Sequence, residues 1–139
     1  MKKYLASAVV LAGFFFFLGM GEMGRGPAPL DRVPTPEKNI SAAVIDRGGM
    51  QSTLQSFSFE GKIFLAGKHG RASVAIPFEK IAEIEVQGQE GSETIVRVLL
   101  RDQKTVQIKM DKRSKFFGKT DYGTYQIEAQ DLKTIRLLF

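Results

Sequence analysis

The sequence contains no cysteine, no tryptophan and a single histidine, His69. Without thiols there is no disulfide framework, thiolate metal site, iron–sulfur cluster or cysteine nucleophile. A lone imidazole flanked by cations, as in Gly67-Lys68-His69-Gly70-Arg71, is a poor base and a poor metal ligand, so His69 reads as a solvated turn residue. The same stretch lacks the spacing of a phosphate-binding loop and no helix follows it. No serine sits in an acid–histidine constellation. Glu83 and Glu85 lie two apart on one strand face with Glu79 nearby, but nothing around them supplies the asymmetry that an acid–base pair needs. They read as a solvated face beside Lys80. The expectation is a protein without catalytic residues, cofactor or metal. An enzyme assembled from scattered residues is the remaining alternative.

A strong charge bias is also missing. The formal net charge of the 139 residues is +5, from 20 Lys and Arg against 15 Asp and Glu. Lys2 and Lys3 precede an apolar run, and without them 18 cations face 15 acids, a net +3. That is well short of the basic face of a dedicated nucleic-acid binder, so nucleic acid is not an expected partner.

What is present begins at the N-terminus. Met1-Lys2-Lys3, followed by an uncharged apolar stretch to Met20, has the charged and hydrophobic regions of a bacterial export signal. Gly19 and Gly21 place small residues for cleavage before Glu22. The alternative is an uncleaved inner-membrane anchor, since the run is at the lower edge of what spans a bilayer. Residues 1–21 are therefore assigned to a signal peptide or anchor, and the expected location is the periplasm or cell envelope. Residues 22–41 form a linker holding four of the five prolines, Pro27, Pro29, Pro34 and Pro36. Proline fixes φ and removes a donor, so this stretch should be extended and semi-rigid.

From residue 42 onward the apolar period is two. Ala72, Val74, Ile76 and Phe78 alternate with Ser73, Ala75 and Pro77. Val106, Ile108 and Met110 alternate with Gln107 and Lys109, and Tyr125, Ile127 and Ala129 with Gln126 and Glu128. Alternation of this kind marks antiparallel strands with one face in a core. Asp46-Arg47-Gly48-Gly49, Glu60-Gly61-Lys62, Gly88-Gln89-Glu90-Gly91 and Asp121-Tyr122-Gly123 separate the runs as turns.

The domain, residues 42–139, also resembles itself at a shift of 51 positions. Gly67-Lys68 matches Gly118-Lys119, and Ile81, Ile84 and Val86 match Leu132, Ile135 and Leu137. Repeat one spans 42–88 and repeat two 93–139. Each reads as a hairpin, a loop bearing apolar residues, a strand, a short turn and a last strand. Phe78, Ile81 and Ile84 are spaced for one helical turn before that last strand. The predicted fold is all-β: a small antiparallel sandwich or barrel of about eight strands, preceded by the hydrophobic N-terminal segment.

Seven cations and two acids fall between Arg101 and Lys119. The candidate contact residues are Lys109, Lys112, Arg113, Lys115, Phe116, Phe117 and Lys119, read as one basic loop over 109–119. Cations with adjacent aromatics suit anionic lipid, lipopolysaccharide or polysaccharide. Against this, Phe116 and Phe117 overlie Leu65 and Ala66 of the first repeat, which would make them core. The leading expectation is a protein-binding or assembly module whose partner is another envelope protein. An anion binder working through 109–119 is the alternative.

Overall fold

The computed structural model describes residues 33–139. The expected signal or anchor (1–21) and residues 22–32 of the linker lie outside the described residues. Among the described residues no helix is long and apolar enough to cross a membrane.

Among the described residues ten strands form one antiparallel sheet: β1 (Ser41–Asp46), β2 (Gln51–Phe59), β3 (Phe64–His69), β4 (Ala72–Pro77), β5 (Ile81–Glu90), β6 (Glu93–Leu100), β7 (Thr105–Asp111), β8 (Lys115–Thr120), β9 (Gly123–Glu128) and β10 (Leu132–Leu138). Two 3-10 turns, Phe78–Lys80 and Ala129–Asp131, lead into β5 and β10. The spatial order is β9-β8-β2-β1-β10-β5-β6-β7-β3-β4.

The all-β reading and the helical turn at 78–80 match what is observed, with ten strands rather than about eight. The additional strands are β3 and β8. Phe64-Leu65-Ala66 and Phe116-Phe117 are consecutive apolar residues rather than alternating ones, which is why both segments read as loops. The basic loop of 109–119 is accordingly corrected: it is the end of β7, a three-residue connection (112–114) and all but the last residue of β8.

The 51-residue shift is a symmetry of the sheet. β3, β4, the first 3-10 turn and the start of β5 recur 51 residues later as β8, β9, the second turn and the start of β10. The two halves meet where β5 pairs with β10, and there Ile84 lies opposite Ile135, its own counterpart. Reversing the strand order and exchanging repeats returns the same order, so a pseudo-two-fold axis passes between these isoleucines. Local contacts repeat as well. Phe78 N–H donates to Ile63 C=O at 3.0 Å, and Ala129 N–H to Ser114 C=O at 2.8 Å. Within each half of the sheet a hairpin comes from the other repeat: β8–β9 pairs with β2, and β3–β4 with β7.

That exchange forces the sheet to curl into a half-barrel. β2 and β3 stand six strands apart, about 29 Å in a flat sheet. Yet residues 60–63 alone join them, a reach of at most about 18 Å. β7 and β8, also six strands apart, are joined by residues 112–114. The two short connections are tied together: Glu60 N–H donates to Lys115 C=O at 2.9 Å, and Lys115 N–H to Glu60 Oε2 at 2.8 Å.

The curl encloses one core. Phe57, fully buried, stacks on Phe78 (centroids 5.3 Å apart) and on Phe116 (5.8 Å), and Phe59 meets Phe116 at 5.0 Å. Aromatic contacts at these separations add to the burial of the rings. The equivalent positions trade bulk between repeats: Leu65 and Phe78 in one correspond to Phe116 and Ala129 in the other, all buried. The end of the linker joins this core through buried Pro36 and Ile40. Asn39 Oδ1 accepts the N–H of Ser56 at 2.8 Å, where β2 bulges at φ 51°.

Candidate functional site

The structure disperses the seven candidate contact residues. Lys109 lies on the outer face of β7, directly opposite Lys68 of β3. Its ammonium donates to the Glu90 carboxylate. That bond, more than the accompanying charge attraction, raises the Lys109 pKa and lowers that of Glu90. Lys112 and Arg113 occupy the connection between β7 and β8, where the backbone of Arg113 donates to Asp111 Oδ1 at 2.8 Å. Lys115 opens β8. Lys119 lies four residues further along β8, exposed opposite Gln55 and Thr124.

Phe116 is 1% exposed and Phe117 5%. Phe116 belongs to the core and Phe117 is buried as well, so their reading as exposed contact residues is corrected. Adjacent residues of a strand point to opposite faces, so β8 is covered on both faces at this point. Arg101 and Lys104 stand at the far end of β7 from Arg113, about 20 Å away for a seven-residue strand. Proximity in sequence is not proximity on this surface.

His69 is the exposed last residue of β3, its Nδ1 3.0 Å from the carbonyl oxygen of Gln107. Glu85 pairs with Arg97 at 2.5 Å on the outer face of the sheet, as expected of a solvated strand face.

A different feature emerges at the sheet margins, which are β4 and β9. These strands are symmetry counterparts but have unlike surfaces. β9 carries Tyr125, Gln126, Ile127 and Glu128, all half-buried against their surroundings. β4 reads Ala-Ser-Val-Ala-Ile-Pro: no charge in six residues, with Ala72, Ser73, Ala75 and Pro77 exposed and only Val74 and Ile76 half-buried. The turn Gly70-Arg71, with Gly70 at φ 63°, makes β3–β4 a two-residue hairpin closed by the pair His69–Ala72. Counting by twos from that hydrogen-bonded pair, Ala72, Val74 and Ile76 bond to β3. The N–H and C=O of Ser73 and Ala75, with the C=O of Pro77, therefore point off the sheet.

Edge strands in soluble proteins are usually blunted by charge, bulges or coverage. Among the described residues only Pro77, at the strand's end, serves that purpose here. The signal was present in the sequence as a charge-free strand ending in proline, a residue confined to sheet edges. The alternation identified the strand without revealing its place in the sheet.

Beside this edge the sheet gapes. β2 and β8 are held by three register pairs, whereas their counterparts β7 and β3 share one, Lys68–Lys109. The resulting cleft, about 450 Å³, has Phe59, Ala66, Val74 and Met110 in its walls and Lys68, Ser73 and Asp111 among its polar groups.

No solved structure matches the chain significantly. A protein of Aquifex aeolicus (strain VF5), described as an uncharacterized protein, is 26% identical over 102 residues, covering 73% of this chain and 77% of the relative. A family model with the description "Uncharacterised protein" matches residues 36–138, from buried Pro36 to the end of β10, and the chain belongs to that family.

Proposed function

We propose that this protein is a non-enzymatic binding or assembly module of the bacterial envelope, and that it engages a protein partner by accepting a strand at the edge of β4. The observation that carries this reading is the uncharged, exposed margin of β4, hydrogen-bonded on one side only among the described residues. Strand addition uses such a margin directly: main-chain bonds supply affinity, and pockets for alternate side chains supply selectivity. A cleft lined in part by Ser73 and Val74 lies beside this strand. The envelope location rests on the charged and apolar character of residues 1–21 and on the proline-rich linker that would hold the domain away from a membrane. The alternative of an anion-binding loop has lost its aromatic component and retains only Lys112, Arg113 and Lys115 as neighbours.

The test is a photo-cross-linking residue placed at Ser73 and, separately, at its counterpart Thr124 in β9, in living cells. A specific protein adduct from Ser73 and none from Thr124 is expected. Absence of any adduct from Ser73 would sink the proposal.

A further inference from the structure

Resting on that reading, we infer that the strand added to β4 is β4 of a second copy of this chain, so that two ten-stranded sheets join across a two-fold axis.

The edge is self-complementary in charge. Arg71 stands at the N-terminal end of β4, exposed and without an ion pair among the described residues. Glu79 stands just past the C-terminal end, exposed, with only a loose 3.6 Å contact to exposed Lys38. Antiparallel pairing about a two-fold axis sets the start of one strand against the end of the other. With Ala75 on the axis, Arg71 of each copy falls opposite Glu79 of the other. Contacts made in this way are isologous, each occurring twice.

The backbone fits the same register. Ala75 exchanges two hydrogen bonds with Ala75 of the second copy, because its N–H and C=O both point outward. Ser73 N–H then donates to Pro77 C=O on either side, which gives four bonds. The missing N–H of Pro77 caps the ladder and limits it to this length. The exposed side chains along the seam, Ser73, Ala75 and Pro77, are small enough to admit a neighbouring strand. β9 offers no comparable margin, since its counterparts of Ala75 and Pro77 are the half-buried Gln126 and Glu128. Pairing therefore stops at a dimer instead of running on into a filament. Four main-chain bonds and a charge pair at each end make a small seam, so the dimer is a weak one that depends on the local concentration of the chain.

The absence of cysteine makes the test clean in the full-length chain within its own cell fraction. Facing residues of a hydrogen-bonded antiparallel pair have Cα atoms about 5.5 Å apart, within disulfide range. Under mild oxidation Ala75→Cys should give a band of twice the chain mass on non-reducing gels. Ala72→Cys, also exposed but displaced from the axis by three residues on each copy, should give none. Arg71→Glu or Glu79→Arg, each added to Ala75→Cys, should remove the band, and the two together should restore it. A folding defect would not be rescued in this way. Equal cross-linking from 72 and 75, no dimer from 75, or indifference to the charge exchange overturns the inference. Should Ala75→Cys give no dimer while the probe at Ser73 still captures another protein, self-pairing fails and strand addition survives. Should neither give a product, both fail.

Discussion

Gly67 and Gly118 occupy equivalent places in β3 and β8, and replacing either with alanine tests the exchanged-hairpin architecture directly. An ideal Cβ on Gly67 would lie 2.7 Å from the carbonyl oxygen of Lys109 and 3.1 Å from Ile108 Cδ1. On Gly118 it would lie 2.9 Å from Leu54 Cβ and 3.3 Å from Gln55 O. Both contacts are with the strand contributed by the other repeat. Gly88 in β5 is the internal control, with nothing within 4 Å of its added Cβ. None of the three has a positive φ, so alanine at each gains about 0.4–1 kcal/mol by restricting the unfolded chain. At Gly67 the obstacle is a backbone carbonyl that cannot retreat without opening the one register pair between β3 and β7. Overpacking of this kind costs roughly 1–3 kcal/mol. The net expectation for Gly67→Ala and Gly118→Ala is a loss of about 1–2 kcal/mol, and for Gly88→Ala a gain of up to about 1 kcal/mol. For a domain of this size that is a fall in Tm of about 4–16 °C against a small rise. Urea denaturation followed by circular dichroism should show the midpoints moving in opposite directions at constant slope. If Gly67→Ala proves as stable as Gly88→Ala, the close approach of the exchanged hairpin is wrong.

Phe116→Ala should lower stability by about 3–5 kcal/mol, since it removes a buried ring that contacts both Phe57 and Phe59; a surface residue would shift it by less than about 0.5 kcal/mol. Removing residues 135–139 should abolish folding, as judged by loss of the β-type dichroism spectrum, because most of β10 goes from between β1 and β5 and both partners are left unpaired. Tyr125 is held above its ordinary pKa by burial first and by the Asp46 carboxylate second, with a Ser52 hydrogen bond opposing the rise. A folded pKa above the unfolded value of about 10 means that its contribution is intact below that pH and is lost as pH climbs through the folded value. Thermal melts above pH 10 should therefore fall more steeply for the parent than for Tyr125→Phe, and parallel curves would refute the assignment.

The strands whose side chains alternate strictly, β4, β7 and β9, were legible in the sequence, as was the helical turn at Phe78. So was the repeat, because Gly67-Lys68 and Gly118-Lys119 keep their offset for a physical reason: each glycine lets a foreign strand approach. β3 and β8 were not legible. Both faces of β8 are buried near Phe116 and Phe117, so its apolar residues run consecutively and alternation fails. Nor could periodicity reveal the exchange of hairpins, which depends on pairing between residues as distant as Gln55 and Lys119. The candidate site suffered from the same blindness. Local charge density drew attention to 109–119, whereas the edge at Ala72–Pro77 is defined by its position in the sheet and by charges it lacks.

The exchanged hairpins also dictate an order of assembly. When β1 to β5 have been synthesised, β2 still lacks β8, β3 lacks β7 and β1 lacks β10, so the first repeat cannot hide its apolar face unaided. The slot between β1 and β5 is filled by β10, the last strand of the domain. Folding is thus committed only after the whole domain has emerged, and it proceeds through contacts between distant residues, which form slowly. In the interval the nascent chain presents strands paired on one side only, with Leu54, Phe57 and Leu65 in the open, the condition under which aggregation competes with folding. The first half can form its β1–β2 and β3–β4 hairpins on its own, but the core they line closes only when the second half arrives.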